Sequence, residues 1–193
     1  MACIGILALQ GAFIEHEQIL RGLGAETVEV RLPEQLEGLD GLVIPGGEST
    51  TISKLMDEYG FPGPLLEMVR RGRPIWGTCA GMIMLSKDVR DDRVRTLELM
   101  DLRVLRNAFG RQVDSFEADL SVPALGEQPF RAVFIRAPIV ADAGDGVEVL
   151  ARLPDGRIAA ARQGKLLATA FHPELTDDPR FHRLFLQMAN GKG

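Results

Sequence analysis

Short apolar runs alternate with helix-periodic stretches through the first half of the chain. Cys3 to Leu9 reads as a buried strand, and Ala12 to Leu23 as a helix with Phe13, Ile19, Leu20 and Leu23 on its apolar face and Gly24 as its stop. Thr27 to Arg31 and Gly41 to Ile44 read as strands, the second closed by Pro45-Gly46-Gly47. Ser49-Thr50-Thr51 supplies caps for a helix over Ile52 to Tyr59. A helix over Pro64 to Arg71, a strand over Pro74 to Thr78 and a helical turn after Ala80 follow. Strand–helix–strand alternation predicts a mostly parallel sheet with helices on both faces.

Beyond about Asp88 the pattern changes to successive β-rich segments: Val94–Val104, Val113–Leu120, Phe130–Ile135, Val147–Leu153, Arg157–Ala161 and Leu166–Phe171. Turn signals such as Pro154-Asp155-Gly156 separate them, which predicts antiparallel strands added to the same domain. A final helix, Pro179 to Ala189, puts Phe181, Leu184, Phe185 and Met188 on one core-facing side. With no repeat and no linker, residues 1–193 read as a single domain.

The net charge of −5 and the scattered basic residues argue against nucleic acid as a partner. Arg90, Arg93 and Arg95 interleave with Asp88, Asp91 and Asp92, the pattern of a solvated loop. No apolar run is long enough for a membrane span, and the first apolar run lacks the positive flank of a signal peptide. Two distant cysteines make no disulfide framework, so a reducing, cytoplasmic setting is expected. His and Cys show no metal-ligand spacing, and no metal or other cofactor is expected.

Candidate chemistry centres on Gly77-Thr78-Cys79-Ala80-Gly81. A buried strand running into Gly-x-Cys-x-Gly and then a helix is the context of a nucleophile elbow, with Cys in place of Ser. Small neighbours permit the strained turn, and the helix N-terminus favours thiolate. The Ala80 N–H is placed to face an oxyanion. The pentapeptide alone fits a small buried structural cysteine equally well. Cys3, inside an apolar strand, reads as structural.

A base is available in Phe171-His172-Pro173-Glu174, where a buried strand delivers His172 to a loop. Pro173 favours an extended His172, and alternation would put Glu174 on the same side to orient the imidazole. His16, beside Glu15 and Glu17, reads as a solvated or partner-facing position, and His182 as structural or exposed. The segment Ile44-Pro45-Gly46-Gly47-Glu48-Ser49 lacks the Walker ending of a phosphate loop and is either a turn and cap or a second oxyanion donor at Gly47.

The chain resembles class I (triad) glutamine amidotransferases, and among them the glutaminase subunits of pyridoxal 5′-phosphate synthase. The matching stretches are Gly5–Gly11 with Glu15-His16, Pro45–Thr51, Gly77–Met82, Arg106–Gln112, Phe134–Pro138 and Phe171–Leu175. The resemblance implies a flavodoxin-like three-layer α/β sandwich around a mixed sheet. It implies a catalytic triad of Cys79, His172 and Glu174, with Gly47 and Ala80 N–H groups holding the oxyanion. It places glutamine against Gly47, Glu48, Ser49, Arg106, Ile135 and Arg136, with Gln10 near the oxyanion region. It also implies ammonia delivery to a synthase subunit, with twelve glutaminase copies on a dodecameric core. Another elbow-cysteine hydrolase or peptidase of similar fold is the alternative.

Overall fold

The computed structural model describes residues 1–106 and 115–191. Its strands are β1 (Cys3–Leu7), β2 (Glu26–Val30), β3 (Gly41–Ile44), β4 (Ile75–Thr78), β5 (Ser86–Val89) and β6 (Met100–Leu105). They continue as β7 (Ser115–Leu120), β8 (Phe130–Ile135), β9 (Ile139–Ala143), β10 (Glu148–Arg152), β11 (Ile158–Gln163) and β12 (Leu166–Thr169). The helices are α1 (Phe13–Gly22), α2 (Ser49–Glu58), α3 (Pro62–Arg70), α4 (Ala80–Leu85) and α5 (Arg180–Ala189).

Parallel pairing runs β2-β1-β3-β4-β12. This is the flavodoxin-like strand order, with the last strand of the chain as the fifth. The strands β3, β4 and β12 are buried at every residue. Their continuous apolar composition follows from having both faces covered. Successive residues of β4 show the two layers. Trp76 packs on His16 of α1 and on Phe181, His182 and Phe185 of α5. Gly77 presses on Gly81 of α4 on the other side, where α4 also meets α2.

Beyond β12 the sheet continues antiparallel through β11, β9 and β6, with β5 at the edge and β10 beside β11. The strands β7 and β8 form a separate antiparallel ribbon, with Phe116 stacked on Phe134 at 4.6 Å. Its Phe134 and Phe130 rings also meet Phe171, joining the ribbon to the core.

Several expectations need correction. The helix expected from Ile52 begins at Ser49, and its cap is the Glu48 carboxylate, which accepts the Thr50 and Thr51 N–H groups at 3.3 and 2.8 Å. The strand expected over Val94–Val104 starts only at Met100. The strands β5 and β9 were not anticipated, since short, half-polar sequences such as Ser86–Val89 at a sheet edge show little periodicity. Residues 107–112 of the Arg106–Gln112 stretch, and Val113 at the start of an expected strand, lie outside the described residues. No helix among the described residues is long and apolar enough to cross a membrane.

Candidate active site

Three adjacent parallel strands end at one place. β3 leads to Gly46-Gly47, β4 to Cys79, and β12 to His172, with Thr78 in register with Thr169 and Ile44 with Gly77. The carboxyl edge of a parallel sheet is where open α/β folds bind ligands. The chain is locked there by Cys79 N–H donating to Thr169 O at 2.8 Å, and by His172 N–H donating to Val133 O of β8 at 2.8 Å.

Cys79 has φ 49° and ψ −104°, a left-handed conformation rare for a side-chain-bearing residue. This is the strained turn expected of an elbow. It survives because α4 packs against β3 so closely that a Cβ on Gly81 would stand 1.9 Å from Ile44 O. Cys79 is 7% exposed, and its sulfur lies 3.9 Å from Ile135 O. Ala80, the first residue of α4, has an N–H with no acceptor inside the helix.

His172 Nδ1 lies 2.7 Å from Glu174 Oε1. The contact arises from a 3-10 turn over Pro173–Leu175 rather than from extended alternation. Proline starts the turn and returns Glu174 beneath the imidazole. With Nδ1–H given to the carboxylate, Nε2 is left for the thiol. Gly46 separates base and thiol tightly, since a Cβ there would stand 2.4 Å from His172 Cε1 and 3.3 Å from Cys79 Cβ. Burial opposes a charged His172, but hydrogen bonds and charge from Cys79 and Glu174 outweigh it and push its pKa up to about 10. Burial likewise opposes ionisation of Glu174, yet His16 and His172 hold its carboxyl well below the usual carboxylate range.

A cleft of about 440 Å3 opens over the sulfur. Gln10, Gly47, Glu48, Ser49, Cys79, Ala80, Arg106, Ile135, Arg136 and His172 line it. The structure thus brings the residues assigned to the triad, the oxyanion site and the glutamine pocket to one cleft, with Glu174 buried behind His172. Gln10 Oε1 accepts the Glu48 N–H at 2.7 Å, and Gly46 O accepts the Ala12 N–H at 3.0 Å, so the loop after β1 straps the Gly46-Gly47 loop. Arg136 also has a positive φ, 42°, at the end of β8.

Two site neighbours escaped sequence reasoning. Asp91 belongs to the segment read as a solvated loop, but its Oδ2 accepts from Arg106 Nη1 at 2.5 Å, and the two side chains are 14% and 13% exposed. Arg106 Nη2 also reaches Glu48 Oε1 at 3.2 Å. His16 is fully buried rather than solvated; His182, read as structural or exposed, is fully buried too. The signal for His16 was spacing: residues 13, 16, 17 and 20 form an i, i+3, i+4, i+7 stripe, and 16, 17 and 20 are the buried positions of α1.

Burial and the proximity of His16 depress the pKa of His182 to about 3 from 6.5. Between those values the unfolded chain binds a proton that the folded chain refuses. Stability is therefore lost as pH falls below 6.5, and Glu174, whose folded pKa is depressed, adds to the loss below 4.5. A His182→Gln variant keeps a donor toward His16 and does not titrate. It is expected to flatten the limb between pH 6.5 and 4.5 by one proton, about 1.4 kcal/mol per pH unit. Urea unfolding of both proteins at several pH values checks this, and an unchanged slope would contradict it.

A strained cysteine at the carboxyl edge of a flavodoxin-like sheet, with a His–Glu pair behind it, is the architecture of α/β enzymes built on a nucleophile elbow. Within that class, the chain belongs to the SNO glutamine amidotransferase family, whose model matches residues 6–190. A protein of Herpetosiphon aurantiacus named pyridoxal 5′-phosphate synthase subunit PdxT is 63% identical over 186 residues, covering 95% of this chain and 98% of that one. A protein of the same name from Dehalococcoides mccartyi is 62% identical over 188 residues, covering 96% of each. A crystal structure described as a glutamine amidotransferase superposes with a TM-score of 0.91 at 52% identity, covering 97% of this chain and 98% of that one.

Proposed function

We propose that the chain hydrolyses L-glutamine to L-glutamate and ammonia, and hands the ammonia to the synthase subunit of a cytoplasmic pyridoxal 5′-phosphate synthase. The observation that carries the chemistry is the strained Cys79 facing the same cleft as an imidazole hydrogen-bonded to a buried carboxylate at 2.7 Å. The relatives' printed names support the partner.

In this reading the Cys79 thiolate attacks the side-chain amide carbon of glutamine, and the oxygen takes up negative charge toward the Gly47 and Ala80 N–H groups. The C–N bond breaks as imidazolium His172 gives its proton to the leaving nitrogen, releasing ammonia and leaving a γ-glutamyl thioester. Water then adds to the thioester carbon, passing a proton to His172. The C–S bond breaks, which frees glutamate and restores the thiolate–imidazolium pair. Glu174 holds the imidazole in the tautomer that both steps need.

Arg106 and Arg136 offer guanidinium groups to the α-carboxylate, with Gly47, Glu48, Ser49 and Ile135 completing the pocket. Asp91 holds one side of the Arg106 guanidinium, and the more exposed Glu48 contact is the one a substrate carboxylate would displace. The expected assembly is twelve glutaminase subunits on a dodecameric synthase core.

The test mixes the chain with a synthase subunit, glutamine, ribose 5-phosphate and glyceraldehyde 3-phosphate. Glutamate release is expected to rise on mixing, and pyridoxal 5′-phosphate to form. Absence of both on mixing, together with cleavage of peptides, would favour an elbow-cysteine peptidase instead.

A further inference from the structure

The chain has three histidines: two of them flank one carboxylate, and the third contacts one of the two. His172 takes Oε1 of Glu174. On the opposite side His16 Nε2, from α1, stands 3.2 Å from Oε2, with both side chains fully buried. The same nitrogen is 3.3 Å from Thr78 Oγ1, so its N–H points between hydroxyl and carboxylate and the Oε2 contact is chiefly electrostatic. His16 Nδ1 is in turn 2.9 Å from His182 Nε2 on α5, 166 residues away in sequence. Trp76 packs its edge against both imidazoles at 5.5 and 4.9 Å, which walls the group from solvent.

Proton positions follow from the chemistry of the ends. An ionised carboxylate only accepts, so the nitrogen facing Oε2 must carry the hydrogen. In that tautomer His16 has a bare Nδ1, which accepts from the Nε2–H of His182. His182 is left with an unprotonated Nδ1, and that atom has no hydrogen-bond partner among the described residues. The depressed proton affinity of His182 agrees with a neutral ring there. The string is therefore polar in one sense: His182 donates to His16, and His16 turns its Nε2–H toward Thr78 Oγ1 and the Glu174 carboxylate.

We propose that His16 is a positioning residue of the amide-cleaving triad, holding the second oxygen of Glu174 while His182 fixes the His16 ring. The inference rests on the triad reading given above. A buried carboxylate with one oxygen bare would swing toward any donor or take up a proton. With both oxygens occupied it stays ionised and keeps its other oxygen on His172 Nδ1. His16 never meets the substrate, so its loss should slow turnover without weakening glutamine binding.

The test uses the full chain with its synthase partner, assayed for glutamate release. His16→Leu removes the donor and is expected to lower kcat about 10- to 100-fold, the usual worth of a hydrogen bond to a charged group, with KM unchanged. His16→Gln restores an N–H near the Nε2 position and is expected to recover most of the loss. A folded His16→Leu protein with unaltered kcat would overturn the proposal, as would a loss in His16→Gln as deep as in His16→Leu. Should His16→Leu not fold, histidine 15N spectra of the unmodified chain decide. The proposal requires the Nε2–H tautomer at His16, and an Nδ1–H tautomer there refutes it. A Cys79→Ala control separates the two levels. If that variant retains turnover the triad reading itself fails, whereas a dead Cys79→Ala beside a fully active His16→Leu defeats only the role of His16.

Discussion

Cys79→Ala is expected to abolish glutamine hydrolysis, with kcat falling by about four orders of magnitude or more, as when other covalent enzymes lose their nucleophile. The elbow explains why the effect should fall on chemistry rather than on folding. The backbone strain at Cys79 is imposed by the packing of α4 against β3, through Gly81 and Ile44, and does not depend on the sulfur. Alanine can occupy the same turn, and the loss of one sulfur from a site that is already open to the cleft leaves little cavity behind. Glutamate release measured with the synthase partner, beside thermal melts of both proteins, checks the expectation. A matching melt with activity near that of the unaltered chain would remove Cys79 from the mechanism.

Glu174→Gln is expected to cost about ten-thousandfold in kcat, comparable to neutralising the acid of a hydrolase triad. Two effects add. The amide no longer stabilises the imidazolium that forms when His172 holds the proton. It also has a single acceptor where the site presents two donors, His172 Nδ1–H on one side and His16 Nε2–H on the other. One donor must therefore face the amide NH2, and if that donor is His172, the ring turns or adopts the wrong tautomer. KM should change little, because Glu174 is buried behind the imidazole and does not line the cleft. Steady-state kinetics at saturating glutamine measures both parameters. A loss confined to KM would show that Glu174 shapes the pocket rather than the base.

The parts of the site carried by local patterns were legible in the sequence. A buried strand ending in Gly-x-Cys-x-Gly, and another ending in His-Pro-Glu, each encode a strand, a turn and a displayed side chain within a few residues. The parallel core strands were legible for the same reason, since β3, β4 and β12 are continuous apolar runs. What stayed hidden depends on contacts between distant segments. His16 sits on a helix whose polar neighbours suggest solvent, but Trp76, Thr78, Glu174 and His182, all distant in sequence, surround it. Asp91 lies among interleaved charges, and its grip on Arg106 spans 15 residues of chain with no periodicity to announce it. The strands β5 and β9 are short and half exposed, so their pairing partners, not their own patterns, make them strands.

The His172–Glu174 contact holds a further lesson. The sequence suggested the right pair through the wrong geometry, because an extended segment and a 3-10 turn can both bring residues i and i+2 to one side when proline sits between them.

The central claim is that Cys79 carries the glutamyl group. The most direct measurement is mass spectrometry of the complex, acid-quenched while turning over glutamine. The account predicts a γ-glutamyl adduct on the peptide holding Cys79, lost on treatment with hydroxylamine and absent in Cys79→Ala. Continued glutamate release with no adduct at Cys79, or an adduct on Cys3 instead, would contradict it.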